Sequence, residues 1–210
     1  MDQLTYRHRF EPGTEPFAPP LLLLHGTGGD EDDLIPLGRK LSPGSALLSP
    51  RGDVSEQGAR RFFARLAEGV FDPAEVTRRT HALADFVAAA AKHYRFDATR
   101  LIAVGFSNGA NIAATLLLLR PESLARAVLL RPMVVLEPAE VPDLSGKSVL
   151  ISSGTADPIV PNDHPVRLAN RLRSAGASVT LQVHAAGHGL IPADFAAASA
   201  FLGVKPPPGR

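Results

Sequence analysis

The chain has 210 residues, of which 45% are hydrophobic and 20% charged, and a formal net charge of +1; this is the balance of an ordinary globular protein, not of a disordered or collagen-like one. Its basic residues are interspersed with acidic ones, so the electrostatic footprint that a phosphate backbone requires is missing and nucleic acid is not an expected partner. There are no cysteines, which removes disulfides, thiolate nucleophiles and cysteine metal ligands, and leaves oxygen or nitrogen as any nucleophile.

The first residues, MDQLTYRHRF, have no apolar stretch behind a basic start, and apolar runs such as LLLL are far too short for a bilayer span. The expectation is a cytoplasmic protein with no membrane partner. Residues 1–210 are expected to form one domain. Within it, 1–20 read as an edge strand and a proline-rich loop. LLLLH from Leu21 is a continuous apolar run, as in a strand buried on both faces, and the turn GTGGD follows it. Asp30 could cap a helix over 31–41. ALLSPRG reads as a short strand, and residues 53–73 as a long loop over the active site containing a helical turn or more. Over 74–93, Val76, Leu83, Phe86 and Val87 recur near one helical face behind Pro73.

LIAVGF is the next strand, and residues 108–119 form an Ala- and Leu-rich helix that ends before Pro121. AVLLRPMVV, SVLISSG and SVTLQVH supply three more strands, with helices near 165–175 and 193–202, and 203–210 reads as a frayed tail. Strands alternating with helices predict an α/β fold with a mostly parallel, twisted sheet covered by helices on both faces.

The chemistry lies in Gly105-Phe106-Ser107-Asn108-Gly109, between a strand and a helix. This is the context of a nucleophile elbow, in which a sharp turn lifts a serine hydroxyl above the carboxyl edge of the sheet. The run lacks the G-x-G-x-x-G spacing and the P-loop lysine of nucleotide-binding turns. A serine needs a base, and the base needs a carboxylate to hold its tautomer. In elbow-bearing sheets these follow in the order acid, then histidine, on loops after later strands. Asp157, just past SVLISSG, and His188, just past SVTLQVH, fit, and Gly187 and Gly189 are expected to give the histidine loop its freedom.

Glu137 is the reserve acid. Asp163 reads as a helix cap or a solvated carboxylate, and Asp143 precedes its strand. His184 ends a strand, His81 and His93 lie on the long helix, His164 is near a helix start and His8 is on the edge strand. The backbone N–H groups of Asn108 and of Thr27, in LHGTGGD, are the expected oxyanion donors, with Gly28 and Gly29 allowing unusual backbone angles and His25 serving as a strut between loops.

Taken together, LHGTGGDEDDLIPLG, RGDVSEQGARRFFARLAEGVFD, GFSNGANIAATLLL, GTADPIVP and GHGL resemble the carboxylesterase and phospholipase family of α/β-hydrolases. The likeness is to its small bacterial branch, related to acyl-protein thioesterases and dienelactone hydrolases. The resemblance implies an α/β-hydrolase fold, Ser107, Asp157 and His188 as catalytic residues, Thr27 and Asn108 as oxyanion donors, and no cofactor. Two departures separate the chain from those relatives. Acyl-protein thioesterases usually carry glutamine where Asn108 stands, and dienelactone hydrolases use a cysteine nucleophile.

Phe62, Phe63 and Phe71 are expected to line the substrate pocket, and Arg60 or Arg61 could meet an acidic substrate group. No metal site is expected, since no two-histidine-one-carboxylate spacing suits iron. The expected activity is hydrolysis of small, short-acyl esters through an acyl-enzyme. A thioesterase or amide hydrolase with the same residues, and a hydrolase-fold ligand-binding protein without turnover, are the alternatives. A homodimer is left open.

Overall fold

Leu21, Leu22, Leu23 and Leu24 show how the core is built. All four are fully buried. Because strand side chains alternate between faces, Leu22 and Leu24 enter one hydrophobic cluster while Leu21 and Leu23 enter another. A strand that is apolar on both sides has to be covered on both sides, which parallel strands with crossover helices achieve.

The structure is a computed structural model that describes residues 4–203. In chain order the elements are β1 (His8–Glu11), β2 (Leu21–Leu24), α1 (Ile35–Leu41), β3 (Leu47–Pro50), β4 (Val54–Glu56), β5 (Ala59–Arg61) and α2 (Pro73–Tyr94). They continue with β6 (Ile102–Phe106), α3 (Asn108–Leu119), β7 (Arg126–Leu130), β8 (Ser148–Gly154), α4 (His164–Ser174), β9 (Ser178–His184) and α5 (Pro192–Leu202).

Seven strands form one sheet in the order β1-β3-β2-β6-β7-β8-β9, and β4 and β5 make a separate hairpin. Only β1 in the large sheet runs antiparallel to its neighbour. Helices α2, α3 and α4 pack on one face, and α1 and α5 on the other. Among the described residues no helix is long and apolar enough to cross a membrane.

Local chemistry explains the helix limits. Asp72 caps α2 by accepting the Ala74 N–H at 2.9 Å, and Pro73 sits where a helix has no amide bond to lose. The helix stops at Arg95 in a left-handed conformation. In α3 every residue from Asn108 to Leu118 is buried, because the helix is held between the sheet and α2.

The pairing register aligns Leu24 with Gly105, Phe106 with Leu130, and Leu130 with Ser152. The carboxyl ends of β2, β6, β7 and β8 therefore share one edge, the edge where open parallel sheets hold their ligands.

Three local expectations need correction. Residues 54–61 form the β4–β5 hairpin, with Gln57 and Gly58 both at positive φ at its tip, and no helical turn lies in 53–72. Asp30 does not cap α1; its carboxylate accepts the Asp32 N–H in the preceding turn, at 2.9 Å, and α1 begins only at Ile35. The strand expected through 135 ends at Leu130, because Arg131 takes a φ of 56° that no strand accommodates. Of the expected tail, only Gly203 is described; it closes α5 in a left-handed conformation, and 204–210 lie outside the described residues.

Candidate active site

Ser107 sits between β6 and α3 with φ 51° and ψ −115°, a backbone strain that non-glycine residues hold only when their surroundings enforce it. The enforcement is visible on both sides. The Ser107 N–H donates to Leu130 O at 2.8 Å, and Ser107 O accepts the Asn111 N–H at 2.9 Å. Glycines are obligatory around it: a Cβ on Gly105 would lie 2.5 Å from Gly109 O, and one on Gly109 would lie 2.0 Å from Leu24 O. The turn leaves Ser107 at the N-terminus of α3, whose first amides have no partner within the helix and favour negative charge.

His188 reaches this hydroxyl from the loop after β9, its Nε2 lying 2.9 Å from Ser107 Oγ. Its Nδ1 lies 2.8 Å from Asp157 Oδ2. Asp157 stands after β8 with its side chain almost fully buried, and its second oxygen, Oδ1, accepts the N–H groups of Ile159 and Val160 at 2.8 and 3.1 Å. Three backbone and side-chain donors thus share one carboxylate, which satisfies it and sets its rotation. The three residues singled out from the sequence are adjacent in space.

The other candidates are engaged elsewhere. Glu137 pairs with Arg167 at 3.2 Å, and Asp163 pairs with the same arginine. Asp143 accepts the Ser145 N–H. His164 Nδ1 accepts the Val134 N–H, and His8 bridges Tyr6 O and the Tyr94 hydroxyl. His25 is the strut its position suggested: Nδ1–H donates to Gly26 O at 2.7 Å and Nε2 accepts the Gly52 N–H at 2.9 Å. Burial lowers its pKa below the usual histidine value, in keeping with a neutral ring that both accepts and donates.

The glycines beside His188 do not work as expected. Neither Gly187 nor Gly189 has a positive φ, and a Cβ would meet ordinary contact distance at the first and open space at the second. Gly28 does take a positive φ of 85°, whereas Gly29 does not; a Cβ on Gly29 would displace the Asp33 carboxylate and lie 3.0 Å from His25 Cβ.

Above Ser107 opens a cleft of about 240 Å³, to whose walls Thr27, Asn108 and His188 all contribute. Thr27 is fixed through its hydroxyl, which accepts from Arg61 Nη1 at 2.8 Å. The Gly28 N–H donates to Arg60 O at 2.9 Å. The hairpin is therefore tied to the loop after β2.

Of the three phenylalanines expected in the pocket, only Phe71 lines it. Phe62 and Phe63 are fully buried core residues. The Phe62 ring packs 4.8 Å from His25 and the Phe63 ring stands edge-on to Phe71 at 5.5 Å. The hairpin draws this segment beneath the cleft wall, where burying two rings is worth more than exposing them to a wet site. Arg61 does reach the cleft, although its guanidinium is buried and already bonded to Thr27 and Phe63 O.

Sequence reasoning missed Arg65, Glu68, Gly69, Phe106, Asn111, Met133 and Ile159, which complete the wall. Four of them stand within a few residues of a strand's carboxyl end or of the elbow, a positional signal that could have marked them. Among the described residues no group of three His, Asp or Glu side chains could hold a metal ion.

A mostly parallel sheet with a serine elbow after β6, an acid after β8 and a histidine after β9 defines an α/β-hydrolase. Comparison with known proteins narrows the class. The profile of the dienelactone hydrolase family matches residues 52–199. MhqD of Bacillus subtilis (strain 168) is 46% identical over 184 residues, covering 88% of this chain and 91% of MhqD. The chain belongs to the dienelactone hydrolase family. Among solved structures, the Bacillus cereus carboxylesterase superposes with a TM-score of 0.92 at 43% identity, covering 95% of this chain and 94% of the other. A carboxylesterase from Mesorhizobium loti gives a TM-score of 0.90 at 32% identity, with 97% of each chain covered.

Proposed function

We propose that the protein is a serine carboxylesterase that hydrolyses small, short-acyl esters through an acyl-enzyme. The observation that carries this reading is the unbroken hydrogen-bond chain from Ser107 Oγ through His188 to Asp157, with links of 2.9 and 2.8 Å. The kinship with carboxylesterases supports the ester linkage as the target.

In this reading Ser107 Oγ attacks the ester carbonyl carbon while its proton passes to His188 Nε2. Asp157, accepting from Nδ1–H, keeps the imidazole in the tautomer whose Nε2 is free to receive that proton, and it stabilises the imidazolium. The negative charge that gathers on the carbonyl oxygen faces the N–H groups of Thr27 and Asn108, the latter at the electropositive start of α3. When the tetrahedral species collapses, the C–O bond to the alcohol breaks and the alcohol leaves with the proton from His188. Water then attacks the acyl-serine, giving a proton to His188. Collapse returns that proton to Ser107 Oγ and releases the carboxylic acid, and no other reagent is consumed.

The cleft's size favours short acyl groups, with Phe71, Phe106 and Met133 as its apolar walls. Hydrolysis of p-nitrophenyl acetate and butyrate tests the proposal. Wild type should turn over both, and Ser107→Ala should lose on the order of 10³-fold or more in kcat. Undiminished activity in Ser107→Ala would refute it.

A further inference from the structure

Beneath the histidine loop lies a buried cation that the reaction as written does not use. Arg131 follows β7 directly, in the left-handed backbone conformation noted above, with its N–H donating to Ser152 O at 2.8 Å. That conformation turns the side chain inward, and the residue is fully buried. An arginine removed from water must have both its charge and its donors satisfied. Asp194 meets the charge, bonded in bidentate fashion to Nη1 and Nη2, each at 2.8 Å.

Two further donors go to one place. Nε donates to Gly187 O and Nη2 to Gly189 O, both at 3.1 Å. These are the carbonyls on either side of His188.

The loop has little else to hold its backbone. Among the described residues no backbone-to-backbone hydrogen bond involves residues 187–189. Close packing reaches it from one side only: a Cβ on Gly154 would lie 2.7 Å from Gly187 O, whereas a Cβ on Gly187 or Gly189 would find room. Asp194 in turn is anchored to the rigid body. Ser152 Oγ donates to its Oδ1 at 2.5 Å and the Ile191 N–H to its Oδ2 at 2.7 Å. The line of support runs from β8 and the start of α5, through Asp194 and Arg131, to both peptide carbonyls beside the imidazole.

We infer that Arg131 is a positioning residue for His188, clamping the carbonyls of Gly187 and Gly189 so that the imidazole stays within proton-transfer reach of Ser107. The inference rests on the reading of His188 as the base. The Arg131 guanidinium touches neither the serine nor the cleft, so what that group contributes to catalysis passes through the loop. A guanidinium suits the task because its planar fork can face a carboxylate and two carbonyls at once, which an ammonium cannot.

The test must separate loop positioning from stability, because removing Arg131 alone leaves a buried carboxylate without a partner. The double variant Arg131→Met/Asp194→Leu avoids that by replacing the ion pair with apolar side chains of similar bulk. Arg131→Lys keeps a cation opposite Asp194 but loses the fork. Each is assayed with p-nitrophenyl butyrate, and kcat is expressed per active site titrated with a fluorophosphonate, which counts only folded, reactive protein. The far-downfield proton resonance of His188 Nδ1–H is recorded in parallel.

For both variants we expect kcat per titrated site to fall by about 10- to 100-fold, the cost of a displaced catalytic group. KM should stay within about twofold of wild type, and the downfield resonance should broaden or vanish. A kcat per site within about twofold of wild type, with the resonance intact, would overturn the inference and reduce Arg131 to a structural ion pair. Ser107→Ala assayed alongside tells the two failures apart. If it is as active as wild type, the esterase reading has failed; if it is inactive while the Arg131 variants keep their kcat, only the positioning role has.

Discussion

The Phe62 N–H donates to Asn108 Oδ1 at 2.7 Å, tying the segment after β5 to the first residue of α3. Both groups are buried, so neither can turn to water if the bond is lost. Asn108→Ala should therefore cost about 1–3 kcal/mol, the price of a buried donor left without an acceptor. For a chain of this size that corresponds to a fall in Tm of several degrees, on the order of 2–4 °C per kcal/mol. Because the alanine keeps its backbone N–H, kcat on p-nitrophenyl esters should fall far less than in Ser107→Ala. A Tm equal to wild type by scanning calorimetry would show that the bond contributes nothing net.

Glycine substitutions around the site should divide sharply. In Gly109→Ala the new methyl would meet the carbonyl of Leu24 at 2.0 Å, and both partners are backbone of the elbow and the sheet, which cannot step aside cheaply. Gly189→Ala points its methyl into open space at an ordinary φ. Circular dichroism melts and ester hydrolysis should show Gly109→Ala grossly destabilised and inactive, and Gly189→Ala within about 0.5 kcal/mol of wild type. An active, stable Gly109→Ala would contradict the close packing of α3 on β2.

The contrast between those glycines marks what can be read from a sequence. Gly105, Ser107 and Gly109 are legible because the elbow forces small residues and a strained serine into a short local pattern, and Asp157 and His188 because each follows a strand end. The two-sided cover follows from buried runs such as Leu21 to Leu24, but the order of the strands in the sheet does not. What lies outside this reach depends on contacts between segments far apart in the chain. Phe62 and Phe63 look like pocket residues in isolation, and only the tie from Phe62 to Asn108 shows that they go beneath the wall. Arg131 sits inside an apolar stretch that reads as continuous strand. Its turn inward is decided by Asp194, which lies 63 residues on.

His25 makes stability depend on pH. Burial, the largest influence, lowers its pKa below the usual 6.5, outweighing the favourable effects of the Gly26 carbonyl, Asp33 and Asp30. Between the lowered folded value and 6.5 the unfolded chain binds a proton that the folded chain refuses, so stability is lost as pH falls through 6.5 and that loss ends at the folded value. A proton on Nε2 would also confront the Gly52 N–H that this atom now accepts. His164 is shifted in the same direction by its own burial, so the comparison needs a single-site variant. Urea midpoints between about pH 5 and 8 should fall toward acid in wild type, and less steeply in His25→Gln. Equal slopes would show that His25 titrates normally in the folded protein.

The sharpest expectation concerns Asp157. Its Oδ1 accepts two backbone N–H groups, from Ile159 and Val160, and these would hold the carbonyl oxygen of an asparagine in the same place. The amide NH2 of Asp157→Asn must then occupy the position of Oδ2, facing His188 Nδ1. A donor there requires Nδ1 to accept, which moves the ring proton to Nε2 and points it at Ser107 Oγ. The ring would stay 2.9 Å from the hydroxyl but could no longer take its proton. Asp157→Asn should keep its fold and its KM while kcat falls on the order of 10⁴-fold near neutral pH. Activity should recover partly toward alkaline pH, where hydroxide can take over part of the base's work. Kinetics of p-nitrophenyl acetate hydrolysis as a function of pH, with a melting curve for each sample, provide the check, and a variant with near wild-type kcat would mean that Asp157 does not set the tautomer of His188.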